Sequence, residues 1–253
     1  MPFLYACLQS YVRGCPVMIL KDMNGFDFEK VDKSVAILPV GSIERHGDHL
    51  PLGTDSELPE HIARRAADLT GAIVMPTIFY GSCHAMRGFP GTFDIDSEVL
   101  FKYIECILEE AWRNGIKLVV VLNGHGGNAT PIQMAARQAA SRTGLSVVVL
   151  DWWKDLGNSK KSLFSSPGHA GEDETSAMLA VDEGKVNIYL AGRHEVTYPE
   201  VKIYSKKIDE RLYEIALTGD AKKATKEKGE ELMSAVVEDL AKVIEDLRKA
   251  LEI

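Results

Sequence analysis

The sequence predicts an α/β protein built on a parallel sheet, and two observations carry that prediction. Short, nearly continuous apolar runs recur along the chain, and segments with helix start and stop signals lie between them. A strand covered on both faces is apolar at almost every position, whereas a half-solvated strand alternates. A regular succession of strand and helix closes most simply through right-handed crossovers into one parallel sheet.

The predicted strands are "SVAILPV" (34–40), "AIVMPTI" (72–78), "KLVVVLN" (117–123) and "SVVVL" (146–150). The first helix is "SELPEHIARRAADLTG" (56–71), with Asp55 or Ser56 as its cap and Gly71 as its stop. The second, "DSEVLFKYIECILEEAWRNG" (96–115), opens at Asp96 or Ser97 and stops at Gly115. The third, "ATPIQMAARQAASRTG" (129–144), carries Pro131 in its first turn, where the missing N–H has no helical partner to lose. "DWWKDLGNSKKSLFSSPGH" (151–169) reads as a long functional loop and "EDETSAMLAVDEG" as a fourth helix. From about Asp220 the chain is one amphipathic helix whose many charges are a solvated face.

At 253 residues the chain suits one large domain, placed at 18–253, with 1–17 as a possible N-terminal extension outside the chemistry. The formal net charge of −8 argues against a nucleic-acid partner, because phosphate contacts need a basic face. Cys7, Cys15, Cys83 and Cys106 form no CxxC pattern, which points to a reducing, cytoplasmic setting. No apolar run is long enough to suggest a membrane span.

Three polar clusters follow strand ends or the long loop, where open α/β sheets gather their ligands. "GSIERHGDHLPLGTD" (41–55) holds Glu44, His46 and Asp55. "NGHGGN" (123–128) holds His125 among glycines that allow close backbone approach. "GHAGEDETS" (168–176) holds His169, Glu172, Asp173 and Glu174. Imidazoles and carboxylates without thiolates suit Zn, Mn or Fe(II). A carboxylate such as Asp55 can bridge two ions roughly 3.5–4 Å apart. Each cluster alone also has a plainer reading: capping or solvated acids, a helix start that favours negative charge, a tight turn or phosphate nest. GxxxxGK[ST] and GxSxG are absent, and "GHGGNA" (124–129) fits the relaxed GxGxxA form but leaves the third strand and not the first, so a nucleotide loop is disfavoured and a serine nucleophile lacks its signature. The three clusters together favour a metal hydrolase.

"ERHGDHLPLGTD", "FPGT" (89–92), "NGHGGN" and "HAGEDETS" together resemble the creatininase family of creatinine amidohydrolases and related deformylases, over 35–179. The resemblance implies a three-layer α/β/α sandwich with a mostly parallel central sheet, commonly assembled as a homohexamer. It implies an amidohydrolase with two divalent metal ions that cleaves a C–N bond of a small amide. Carried over residue by residue, Glu44 and His125 hold the first ion, His46 the second, and Asp55 bridges them. The creatinine-cleaving enzymes carry a further carboxylate where this chain has Gly127. Glu174, or alternatively Glu172, is expected to replace it.

His169 resembles the family's proton-transfer histidine, and Glu172 is the other candidate for carrying a proton to the leaving nitrogen. The amides of Gly126 and Gly127 are expected to position the substrate. Trp152, with Trp153, either stacks on a flat substrate or packs in the core. Arg87 either binds a phosphate or carboxylate group or sits in a structural ion pair. Many relatives have a His where this chain has Met86, which loosens the tie to creatinine and keeps a formylamino-pyrimidine open as substrate. The competing expectation is a non-catalytic metal- or ligand-binding scaffold that retains the fold. His49, His61 and His194 are assigned no role in the chemistry.

Overall fold

The computed structural model describes residues 17–197, 203 and 205–253. The expected N-terminal extension, apart from Val17, lies outside the described residues, as do Cys7 and Cys15. The main sheet has strands β1 (Val35–Val40), β2 (Ile73–Val74), β3 (Leu118–Asn123) and β4 (Ser146–Asp151). Their order is β2-β1-β3-β4, and every pairing is parallel. The principal helices are α1 (Thr54–Thr70), α2 (Ser97–Arg113), α3 (Ala129–Arg142), α4 (Glu172–Asp182) and α5 (Lys226–Leu251).

Strand side chains alternate between the two faces, so one strand feeds two cores. Val35 and Ile37 of β1, with Leu118, Val120 and Leu122 of β3, pack with apolar residues of α1, α4 and α5. Ala36, Leu38 and Val40, with Val119 and Val121, pack with residues of α2 and α3. Both faces are therefore covered, which is why the strands read as continuous apolar runs. The result is the expected three-layer α/β/α sandwich.

Three local expectations change. The second strand shrinks to Ile73–Val74, with isolated bridges from Ile19 to Val74 and from Val40 to Ile78. Pro76 has no N–H to donate, so the ladder breaks there. The long loop is partly helical, with a turn at Trp152–Asp155 and a 3-10 segment at Asn158–Leu163. The last helix starts at Lys226, later than expected, where the Thr225 side chain accepts from the Lys228 N–H. Leu232, Met233, Val236, Val237, Leu240 and Ile244 form its buried stripe. Among the described residues, no helix is long and apolar enough to cross a membrane.

Candidate metal centre

The polar clusters converge at the carboxyl ends of β1 and β3. The loop after β1 carries Glu44 and His46, the first turn of α1 carries Asp55, and the turn after β3 carries His125. Glu174 comes from the first turn of α4, and His169 from the segment just before it. Asp55 is not the cap of its helix. Gly53 occupies that position without a side-chain bond, and the Asp55 carboxylate is spent on the centre instead. Close backbone approach makes this possible. A Cβ on Gly124 would lie 2.0 Å from the Asp55 carbonyl oxygen, so only glycine lets the β3 turn rest on α1.

Asp55 is buried and its two oxygens face different ways. Oδ1 lies 3.0 Å from His46 Nε2, and Oδ2 lies 2.9 Å from His125 Nδ1. Ser42 donates to Oδ2 at 2.7 Å and fixes the carboxylate plane. Glu44 Oε2 is 3.4 Å from His125 Nδ1, and Glu174 Oε2 is 3.7 Å from His46 Nε2. The outer nitrogens of both rings are anchored on backbone. His46 Nδ1 donates to the Glu44 carbonyl at 3.0 Å, and His125 Nε2 donates to the Ser82 carbonyl at 2.9 Å. That leaves His46 Nε2 and His125 Nδ1 as the lone pairs aimed inward, the second-sphere arrangement of a metal-binding imidazole. Among the described residues three donor groups result: Glu44 with His125 and Cys83 on one side, His46 with Asp55 and Glu174 on the other, and Glu44 with His46 and His169 between them. The donor set and its tautomers fit divalent cations.

The charges agree. Burial opposes protonation of His46, but Asp55 and then Glu174 overcome it and hold the ring up at about 10. His125 is likewise raised well above its ordinary value, against its burial, by Glu44 and Asp55. Asp55 is held well below the carboxylate range because His46 and His125 outweigh its burial. Glu174 goes the other way, up to about 8, through burial and the nearby Asp55 charge. Without cations, protons are shared among these carboxylates and imidazoles, and a divalent ion would displace them.

His169 stacks obliquely on His46, with ring centroids 4.3 Å apart. Its Nε2 donates to the Arg45 carbonyl at 3.0 Å, and its Nδ1 sits 3.9 Å from Glu44 Oε2. Burial, and then the His46 charge, lower it to about 3, so Nδ1 keeps its lone pair at neutral pH. The backbone N–H of His169 donates to Thr218 Oγ1 at 2.9 Å, and its carbonyl accepts from the Thr218 N–H at 2.8 Å. Thr218 is set in place by the short antiparallel pair β5 (Arg193–His194) and β6 (Gly219–Asp220).

A cleft of about 1640 Å³ opens over the donors, lined also by Gly126, Gly127, Arg87, Trp153 and Tyr213. Arg87 is exposed at its edge and has no ion pair among the described residues. Trp152 touches the cleft but is 2 % exposed and packs in the core, while Trp153 is less buried there.

Glu172 is not brought to the centre. Its Oε2 accepts from the Ser165 and Ser166 N–H groups, both at 2.8 Å, and its Oε1 accepts from Lys228 Nζ at 2.6 Å. A carboxylate saturated in this way stitches the loop to α5 and is turned away from the donors, which does not favour the expected proton-transfer or ligand role. Glu174, two residues on, points inward and accepts the Ala170 N–H at 2.6 Å.

Several contributors left little trace in the sequence. Tyr213 meets the His169 ring edge-on at 5.6 Å and arrives from a distant segment with no motif. Cys83 lies beside Glu44 and His125, and its only signal was its place just after the second apolar run. Asn128 is the last residue of "NGHGGN". Its side chain accepts from the Ser82 N–H and donates to the Gly41 carbonyl, both at 2.9 Å, tying three strand-end loops together.

Fold and site define an α/β protein with a buried, mixed imidazole–carboxylate centre at the strand ends, suited to divalent metal. The chain belongs to the creatininase family, whose model, described as creatinine amidohydrolase, matches residues 21–244. It is similar to the creatinine amidohydrolase of Pseudomonas putida, 30% identical over 84% of this chain and 89% of that protein. The mycofactocin precursor peptide peptidase of Mycolicibacterium smegmatis is 29% identical over 82% of this chain and 83% of its own. A 2-amino-5-formylamino-6-ribosylaminopyrimidin-4(3H)-one 5'-monophosphate deformylase of Methanobrevibacter ruminantium is 27% identical over 66% and 74%. A solved manganese creatininase superposes with a TM-score of 0.82 at 28% identity, covering 92% of this chain and 98% of that one. A creatininase mutant described as Zn-Zn type gives 0.81 at 28% identity, with the same coverage of both chains. These relatives are hydrolases.

Proposed function

We propose that this chain is a metal-dependent amidohydrolase that cleaves a C–N bond of a small cyclic amide or formamide. One observation carries the reading: the two oxygens of buried Asp55 face two separate imidazoles, His46 and His125, each with its own further carboxylate. That is the arrangement of a bridging ligand between two cations. Zn, Mn and Fe(II) all accept this donor set, and solved relatives are described with manganese or zinc.

Two such ions, when bound, acidify a water and polarise a carbonyl. The chain's own residues supply the rest. Ser42 holds Asp55 so that both its oxygens stay aimed at the imidazoles. His169 Nδ1 carries a free lone pair toward Glu44 and is the group placed to take a proton and return it to the leaving nitrogen. The open backbone at Gly126 leaves room for a ligand carbonyl or ring. Trp153 offers an indole surface at the cleft, and exposed Arg87, without an ion pair among the described residues, suits an anionic substituent, such as a phosphate, at its edge. The phosphate-loop reading of "NGHGGN" loses support because His125 is turned to Asp55 and Glu44.

The test is metal content per chain, measured on untagged protein purified without chelator, followed by hydrolysis assays with creatinine and with formylated aminopyrimidines. About two ions per chain and turnover of one substrate class are expected. One ion or none, with no amide hydrolysed, favours the non-catalytic scaffold.

A further inference from the structure

The thiol of Cys83 is the one donor at this centre with no part in the reading above. Cys83 is 1 % exposed and borders the cleft. Its sulfur, a carboxylate oxygen of Glu44 and a ring nitrogen of His125 all lie within 4.8 Å of one another. The thiol is held there by its backbone. The Ser82 N–H donates to Asn128 Oδ1, the Ser82 carbonyl accepts from His125 Nε2, and the Cys83 N–H donates to Asp94 Oδ1, each at 2.9 Å. One of these tethers is the His125 ring itself, so the thiol and the imidazole are positioned as a unit.

The two halves of the centre then differ in kind. On one side Glu44, His125 and the Cys83 sulfur form a mixed three-donor group, to which Asp55 Oδ2, 2.9 Å from His125 Nδ1, is the candidate fourth donor. On the other stand His46, Asp55 Oδ1 and Glu174, a three-donor set without sulfur. Four protein donors close a tetrahedral ion, whereas three leave a position for water or substrate. Thiolate sulfur favours zinc, while oxygen donors also suit manganese.

We propose that Cys83 ligates the ion held by Glu44 and His125, making that position closed and zinc-preferring, while the position at His46 and Glu174 stays open to substrate. The inference rests on the two-ion reading above. Ligation replaces the S–H bond with a sulfur–metal bond. The proton passes to solvent, and nothing is oxidised or reduced.

The experiment loads the full-length chain with Co(II) and reads its absorbance. A thiolate ligand gives an intense near-ultraviolet sulfur-to-cobalt charge-transfer band, which oxygen and nitrogen donors do not. The band is expected to saturate at one equivalent, to vanish in Cys83→Ser and Cys83→Ala, and to persist in Cys106→Ser. In competition titrations, Cys83→Ser is expected to lower the preference for zinc over manganese by about 10-fold or more. Bound cobalt without the band, or a band that survives both Cys83 substitutions, overturns the assignment and leaves the amidohydrolase reading intact. Failure of the parent chain to bind cobalt at all removes both. Should Cys83→Ser not fold, Cys83→Ala, the parent and Cys106→Ser spectra decide.

Discussion

Gly127 is the position at which the family resemblance leads one to expect a further carboxylate, and the structure says what a side chain would do there. A Cβ at this position would lie 1.9 Å from the Ser82 carbonyl oxygen and 2.7 Å from His125 Nε2. Those two atoms are hydrogen-bonded to each other at 2.9 Å. Even Gly127→Ala must therefore push the Ser82 backbone away or rotate the imidazole. Leaving a buried donor and acceptor unpaired costs about 1–3 kcal/mol. Forcing a methyl into a packed wall costs about 1–3 kcal/mol more. The sum, about 2–6 kcal/mol, corresponds to a fall in melting temperature on the order of 10 °C for a chain of this size. Because the bond sets the His125 tautomer, metal affinity should also drop by roughly 10- to 100-fold. Gly126→Ala is the matched control, since a Cβ there meets no atom within 4 Å. Thermal melts and metal titrations of the two variants check the reasoning. It fails if Gly127→Ala melts and binds metal like the parent, or if Gly127→Glu gains metal affinity.

Three more outcomes follow from the same geometry. Asp55→Ala removes the carboxylate that faces both imidazoles, so on the proposed two-ion reading elemental analysis should find both ions lost, and hydrolysis with them. Glu172→Gln should lower stability by about 1–3 kcal/mol, read from urea midpoints, through its weakened bonds to Lys228 and the Ser165–Ser166 amides, with metal content unchanged. Burial, with the His46 charge, lowers His49 from 6.5 to about 4, so the unfolded chain takes up this proton more readily than the folded one. The contribution is complete above pH ~6.5 and is lost as pH falls toward ~4, roughly 3 kcal/mol in all. Urea melts at the two ends of that window should show the loss in the parent and much less of it in His49→Asn.

The β1, β3 and β4 strands, the helices between them and the position of the donor loops are all legible in the sequence. They depend on short-range properties: apolar runs, caps such as Asp96, and glycines at strand ends. Asp96 does accept from the Glu98 and Val99 N–H groups as a cap should. The second strand was overestimated because apolar character alone does not register that Pro76 ends a ladder. Asp55 as a helix cap was a fair reading of local rules, overridden because the β3 turn presses against α1 and draws the carboxylate inward.

Motifs alone could name Glu44, His46, Asp55 and His125 as candidates, because family resemblance compresses three-dimensional juxtaposition into short strings. They could not separate Glu172 from Glu174. Those residues are neighbours in one helical turn, and which of them faces the centre depends on Lys228, 56 residues away, capturing the other. Nor could they place Cys83 or Tyr213, whose relevance exists only where distant segments meet. Sequence by itself determined which elements form and which donors lie at strand ends, since these are written in local periodicity and composition. Tertiary structure alone decided which donors converge, which nitrogen of each imidazole faces inward and which acid is consumed by scaffolding, because those follow from contacts between residues that the chain keeps far apart.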